Sequence, residues 1–292
     1  MRTNKAIESF HTQLRADGRS PHTIAAYMRE LRLFTGWIGR VKNIKAVTPA
    51  DIAGFFTSNT ALVSAEGENR CTISTNRLKS TIRAFFNYLS EAGIIDSNPA
   101  RLVKSRPCQR KSPTTLSDSE RQALLDTISK SPEPLAQRDF AIASLLLGTG
   151  IRLASLVGLN ASAIDFKEGA INITSKGGRT ETVFINAALR KILSSYVKAH
   201  GISGASPLFQ AFIGKRLCAR QVQYRISQWI KAAGITHRAS VHTLRHTFAT
   251  RLYRMTGDLR LVQRALGHRQ VTTTEIYTHL SDQSLKKAIR FI

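Results

Sequence analysis

The sequence predicts a mainly α protein with a small antiparallel β-sheet, divided into two domains. Three observations carry that expectation. Apolar residues recur at helical spacing through most of the chain, with capping residues where the runs begin. One stretch, "AINITSKGGRTETVFI", alternates apolar and polar residues on either side of Gly177-Gly178, a two-residue hairpin signal. Between two helical regions lies "NPARLVKSRPCQRKSPTTL", which holds Pro99, Pro107 and Pro113, many cations and no acid. It reads as an extended basic linker. The expected division is a helical domain over residues 1–100, a linker over 101–116, and a second domain over 117–292 with a C-terminal tail at 281–292.

In chain order, "SPHTIAAYMRELRLFTGWI" opens with Ser20 as N-cap and Pro21 at the first helical position. Ile24, Tyr27, Met28, Leu31 and Phe34 or Ile38 mark one face of that helix. "TPADIAGFF" starts on Thr48, with Asp51 three residues on. "ISTNRLKSTIRAFFNYLSEAG" is a long amphipathic helix closed by Gly93, so four or five helices fill the first hundred residues. "SDSERQALLDTI" opens the second domain on a capping box, Ser117 with Glu120. "LLLGTGIRLASLVGL" sets Arg152 at a glycine-broken junction between two apolar helical segments. The nearest acids in sequence are Asp139 and Asp165, so a local partner for Arg152 is not obvious. After the hairpin, helices run to the end. In "VHTLRHTFAT" and the residues after it, Val241, Leu244, Phe248 and Leu252 form a core stripe, with Tyr253 packing beside it. In "GDLRLVQRALGHRQVTTTEIYTHL", Asp258 is an N-cap and Gly267 follows the last helical residue. The tail "SLKKAIRFI" carries one apolar stripe, Leu285, Ala288, Ile289 and Ile292, on a helix too short to persist alone.

Charge narrows the function. The 43 Lys and Arg face 19 Asp and Glu, for a formal net charge of +24. Such a chain repels itself unless it works beside a polyanion. Of those cations 28 are Arg, which forks two hydrogen bonds onto one phosphate. Residues 1–106 carry 16 cations and 8 acids, and residues 107–292 carry 27 and 11, so both halves are expected to face nucleic acid. A membrane partner would favour one dominant basic amphipathic helix, and none stands out. The N-terminus has no apolar signal region, and the expectation is a soluble cytoplasmic protein associated with the nucleoid. Cys71, Cys108 and Cys218 are scattered, which argues against a disulfide framework or a cysteine zinc site.

His242 and His246 stand four apart, the spacing of a zinc protease helix. That chemistry needs a glutamate directly after the first histidine. Thr243 occupies the position, no carboxylate occurs in 241–250, and Arg245 would repel Zn²⁺. A cation and an imidazole on one helix flank suit a phosphate oxygen better than a metal. No metal and no cofactor is expected.

Five pieces in order are "TGIR" with Arg152, "SKGGR" with Lys176, "HTLRHTFAT" with His242 and Arg245, "LGH" with His268, and "YTH" with Tyr277. His268 precedes Tyr277 by nine residues. This set resembles the tyrosine recombinase (integrase) family, and "SPHTIAAYMRELRLF" resembles the first helices of its core-binding domain. The resemblance implies a core-binding domain joined to a catalytic domain, together forming a clamp round DNA. It implies Tyr277 as the nucleophile that makes a 3′-phosphotyrosine. Arg152 and Arg245 would clamp the non-bridging oxygens, and His268 would add a hydrogen bond. His242 is the candidate base or proton relay. Lys176 is the candidate acid for the leaving 5′-oxygen, with Arg179 as its alternative. His246 is expected to be structural and to lie away from the core stripe. The partners implied are double-stranded DNA with inverted-repeat core sites and a homotetramer in the synapse, or a heterotetramer with a related recombinase. The family commonly passes its C-terminal segment to a neighbouring protomer. One departure stands out. Where the family often has Ser-Glu or Ser-Asp after the first arginine, this chain has Ala154-Ser155. The carboxylate that commonly braces the site is missing.

The function expected is site-specific recombination without ATP or metal, integrating, excising or resolving a mobile element or replicon. Xer-type dimer resolution, a non-catalytic DNA-binding relative and a type IB topoisomerase-like enzyme are the alternatives.

Overall fold

Local sequence decides where the helices begin. In the computed structural model, which describes residues 1–39, 43–108, 112–174, 180–212 and 214–267, the chain divides into two compact units, Met1–Gln109 and Arg110–Ile292.

The first unit holds α1 (Thr3–Ala16), α2 (Pro21–Ile38), α3 (Pro49–Thr57), the single turn α4 (Asn59–Leu62) and α5 (Thr72–Glu91). The expected caps are present. Ser20 Oγ accepts from Thr23 N, and Thr48 with Asp51 forms a full capping box that sequence showed only as a spacing. Gly93 ends α5 at φ 66°, the left-handed region. The core is aromatic. Phe34, Phe55, Phe85 and Phe86 are fully buried, and Phe34 meets Phe55 and Phe86 edge-on. Each such ring contributes about 1.5–3 kcal/mol by burial. Glu30 is buried in this unit, where it accepts from Thr81 Oγ1 and pairs with Arg77 Nε at 2.7 Å. The start of the basic stretch is tied down along α5. Asn76 Nδ2 donates to Arg106 O and Asn76 Oδ1 accepts from Arg106 N, while Lys79 Nζ donates to Lys104 O and Arg83 Nη1 to Val103 O.

The second unit is built on α7 (Ala136–Thr149), which follows α6 (Asp118–Ser129). In its "FAIASLLL" run every residue after the partly buried Phe140 is buried, because α6, α9 (Ala187–Ala199), α10 (Ala219–Ala232) and α11 (Val241–Thr256) surround it. A charged knot holds α10 to α7. Asp139, 1% exposed, accepts from Arg138 Nε and Nη2, Arg225 Nε and Trp229 Nε1 at 2.6–3.0 Å. Ser117 and Glu120 form the expected capping box on α6. Just before it, Leu116 N donates to Thr247 Oγ1 of α11 at 2.9 Å.

The short helix α8 (Leu153–Gly158) leads into a three-stranded antiparallel sheet, β1 (Ile164–Asp165), β2 (Ala170–Thr174) and β3 (Thr180–Phe184), in that order. A second hairpin, β4 (Gln210–Phe212) with β5 (Lys215–Arg216), was not foreseen. Its strands are too short to show alternation. The β2–β3 register corrects the two-residue turn. A Gly177-Gly178 turn would pair Thr180 with Ser175, but Thr180 pairs with Thr174. An odd number of residues therefore separates the paired strands. Finally α12 (Leu259–Leu266) packs on α11, with Asp258 Oδ1 capping it from Arg260 N and Leu261 N.

Candidate active site

Arg152 stands where α7 hands over to α8. Gly150 ends α7 in the left-handed region at φ 61°, and its missing Cβ matters twice. A methyl there would lie 2.5 Å from Phe248 Cδ1 and 3.0 Å from Leu266 Cδ2, so only glycine lets α11 and α12 come this close. Arg152 is then the extended residue before α8, with its side chain 42% exposed.

Arg245 reaches the same place from α11. Its Nη1 donates to Gly150 O, and its Nη2 donates to Leu266 O at 2.8 Å. Arg152 Nη2 donates to the next carbonyl, Gly267 O. Two guanidiniums from elements far apart in sequence thus dock on neighbouring carbonyls at the C-terminus of α12. The last carbonyls of a helix lack intrahelical partners and carry its negative dipole end, so cations are favoured there. Gly267, at φ 59°, is the left-handed cap that the sequence indicated.

Glu181, which the sequence reading passed over, completes the cluster. Its Oε2 lies 3.9 Å from Arg152 Nη1. A Cβ on Gly267 would fall 2.5 Å from that oxygen and 3.2 Å from Arg152 Nη1. Neither acid near Arg152 in sequence serves it. Asp139 is taken by Arg138, Arg225 and Trp229, and Asp165 Oδ1 accepts the turn amides of Lys167 and Glu168. The available signal was strand parity. Glu181 shares the packed face of β3 with partly buried Val183, whereas Phe184, on the other face, is 77% exposed.

His242 is exposed in the first turn of α11. His246 is half-buried, which corrects its expected place away from the core. The reason is that α11 has more than one covered side. Besides Val241 and Leu244, Thr243, Thr247, Ala249, Thr250 and Tyr253 are buried, while Phe248 and Leu252 of the expected stripe are only partly so. Threonine fits a packed interior because its hydroxyl can return to its own helix, as Thr247 Oγ1 does to Thr243 O. Burial, then the charges of His242 and Arg245, push the His246 imidazole below its ordinary range and favour its neutral form. Tyr253 packs as expected, at 8% exposure. Among the described residues no three His, Cys, Asp or Glu side chains stand together as a metal site, and no helix is long and apolar enough to cross a membrane. Lys176, Arg179, His268, Tyr277 and the tail lie outside the described residues.

A helical domain followed along the chain by an α-rich domain with a small sheet and a paired-arginine site defines the recombinase class of fold. The comparisons agree. Residues 114–284 match the phage integrase family, and residues 7–93 match the phage integrase N-terminal SAM-like domain. Tyrosine recombinase XerC of Alcanivorax borkumensis is 33% identical over 97% of this chain and 92% of its own. The XerC of Thermodesulfovibrio yellowstonii is 35% identical over 90% and 87%. Among solved structures, XerA recombinase is 28% identical, with a TM-score of 0.54 over 98% of this chain and 97% of that one. XerH bound to palindromic difH substrate, at 22% identity, shares the fold with a TM-score of 0.78 over 97% and 83%. The chain belongs to the phage integrase family of tyrosine recombinases. It is an enzyme of site-specific recombination.

Proposed function

We propose that this chain cuts and rejoins double-stranded DNA at paired inverted-repeat core sites, through a covalent 3′-phosphotyrosine on Tyr277. The observation that carries the reading is the convergence of Arg152 and Arg245 on the carbonyls at 150, 266 and 267, directly before His268 in the chain. Guanidiniums already held in place can meet the charge that builds on a phosphodiester under attack, with little rearrangement at the moment of reaction. Removing one such donor typically costs about 10²–10³ in rate.

In this reading Tyr277 attacks phosphorus and the 5′-oxygen leaves, taking its proton from Lys176. His242 accepts or relays the tyrosine proton, and His268 donates to a non-bridging oxygen. The phosphotyrosine keeps the energy of the broken bond, so a 5′-hydroxyl from a partner strand reverses the step without ATP or metal. His246, held neutral, braces α11 and leaves proton transfer to His242. The two basic units clamp the duplex, and four protomers, all of this chain or mixed with a related recombinase, form the synapse. Two relatives named XerC favour resolution of replicon dimers over integration of an element.

A nicked suicide substrate tests the chemistry. The parent should trap a covalent adduct in excess EDTA, and Tyr277→Phe should bind the same DNA without trapping one. An adduct formed by the Phe variant, or one lost to chelation and restored by Zn²⁺ or Mg²⁺, would overturn the reading.

A further inference from the structure

We infer that Glu181 is the positioning residue for Arg152, supplied by strand β3 in place of a carboxylate two or three residues after the arginine, where this chain has Ala154-Ser155. The inference rests on the reading above, in which Arg152 receives the phosphate.

Four observations converge on it. Glu181 Oε2 stands 3.9 Å from Arg152 Nη1, while Arg152 Nη2 is held by Gly267 O, so the two ends of one guanidinium have separate anchors. Glu181 lies on the packed face of its strand, opposite Ile173, which is 5% exposed. Glu181 is itself 42% exposed, so the strand face brings its carboxylate to Arg152 without burying it. The absent Cβ of Gly267 leaves the space that Glu181 and Arg152 share. Asp139 and Asp165, the acids near Arg152 in sequence, are engaged elsewhere.

The geometry also assigns the direction of the effect. A planar guanidinium fixed at one end still swings about its long side chain. A second, negative anchor restricts the swing and keeps the remaining N–H groups turned to one side. Glu181 follows Lys176 by five residues. The pair therefore also ties the strand leading from the candidate acid to the arginine.

Single-turnover adduct formation on the nicked substrate tests this in the full chain, with Glu181→Gln, Glu181→Asp and Arg152→Lys, alone and combined. Glu181→Gln should slow adduct formation about five-fold, the upper end for a solvent-exposed ion pair, with DNA affinity and melting temperature unchanged. Glu181→Asp should recover part of the rate. In the Arg152→Lys background the Glu181→Gln effect should shrink towards none, because the fork it orients is gone. An unchanged rate for Glu181→Gln overturns the inference. So does a faster one, which would make Glu181 a competitor of the phosphate, and so does a full five-fold loss in the lysine background. Parental rates for Arg152→Lys and Arg152→Ala would instead overturn the underlying reading of Arg152.

Discussion

Gly150→Ala should damage this protein more than its size suggests, and the structure gives the amount. At φ 61° an alanine pays left-handed strain of about 1 kcal/mol. Its methyl would also sit 2.5 Å from Phe248 Cδ1 and 3.0 Å from Leu266 Cδ2. Carbon atoms pack at about 3.5–4.0 Å, so α11 or α12 must shift, at about 1–3 kcal/mol. The sum is about 2–4 kcal/mol. For a unit of this size that is a fall of about 6–12 °C in its melting transition. Gly201→Ala is the control. Gly201 has φ 59° in the same unit but nothing within 4 Å of its would-be methyl, so strain alone applies, about 1 kcal/mol or about 3 °C. Calorimetry on the two variants isolates the packing contribution. Gly150 O is also an acceptor for Arg245 and Leu266 O is another, so adduct formation should fall with Gly150→Ala and hold with Gly201→Ala. Equal melting temperatures for the two variants would refute the close approach of α7, α11 and α12.

Three further outcomes follow from the packing. Asp139→Ala should destabilise the second unit by about 3–5 kcal/mol, because it strands Arg138 and the Arg225–Trp229 pair around a buried site; a change under 1 kcal/mol in urea titration would show that knot to be dispensable. Thr247→Val should cost about 1–3 kcal/mol, since the buried Leu116 amide loses its acceptor, and amide exchange at Leu116 should speed accordingly. His246 gives a pH signature. Its folded pKa lies below the unfolded value near 6.5, so the unfolded chain takes up the proton first as pH falls. Stability is full above about pH 6.5 and declines as pH drops from there through the folded value. Urea midpoints at pH 7.5 and 5.5 should differ less for His246→Gln than for the parent, and an equal difference would contradict the burial of this imidazole.

Features that are settled within one turn of chain are readable in the sequence. Ser20, Thr48, Ser117 and Asp258 announce their helices because a cap is a contact between residues two or three apart. Gly267 was legible for the same reason, and Arg152, His242 and Arg245 were singled out through a family resemblance carried by short motifs. Contacts between distant segments were not legible. The buried threonines of α11 read as polar, because what covers a helix face is contributed by other elements. The β2–β3 register differs by one residue from the one a Gly177-Gly178 turn would set, because pairing is set by the packing of Ile171 and Ile173 as well as by the glycines. Only tertiary packing brings Arg245 to the carbonyl at 266, Arg152 to the one at 267, and Glu181 to Arg152. Those partners are separated by up to 115 residues, and no local pattern encodes a hydrogen bond that forms only once α7, α11, α12 and β3 have packed together.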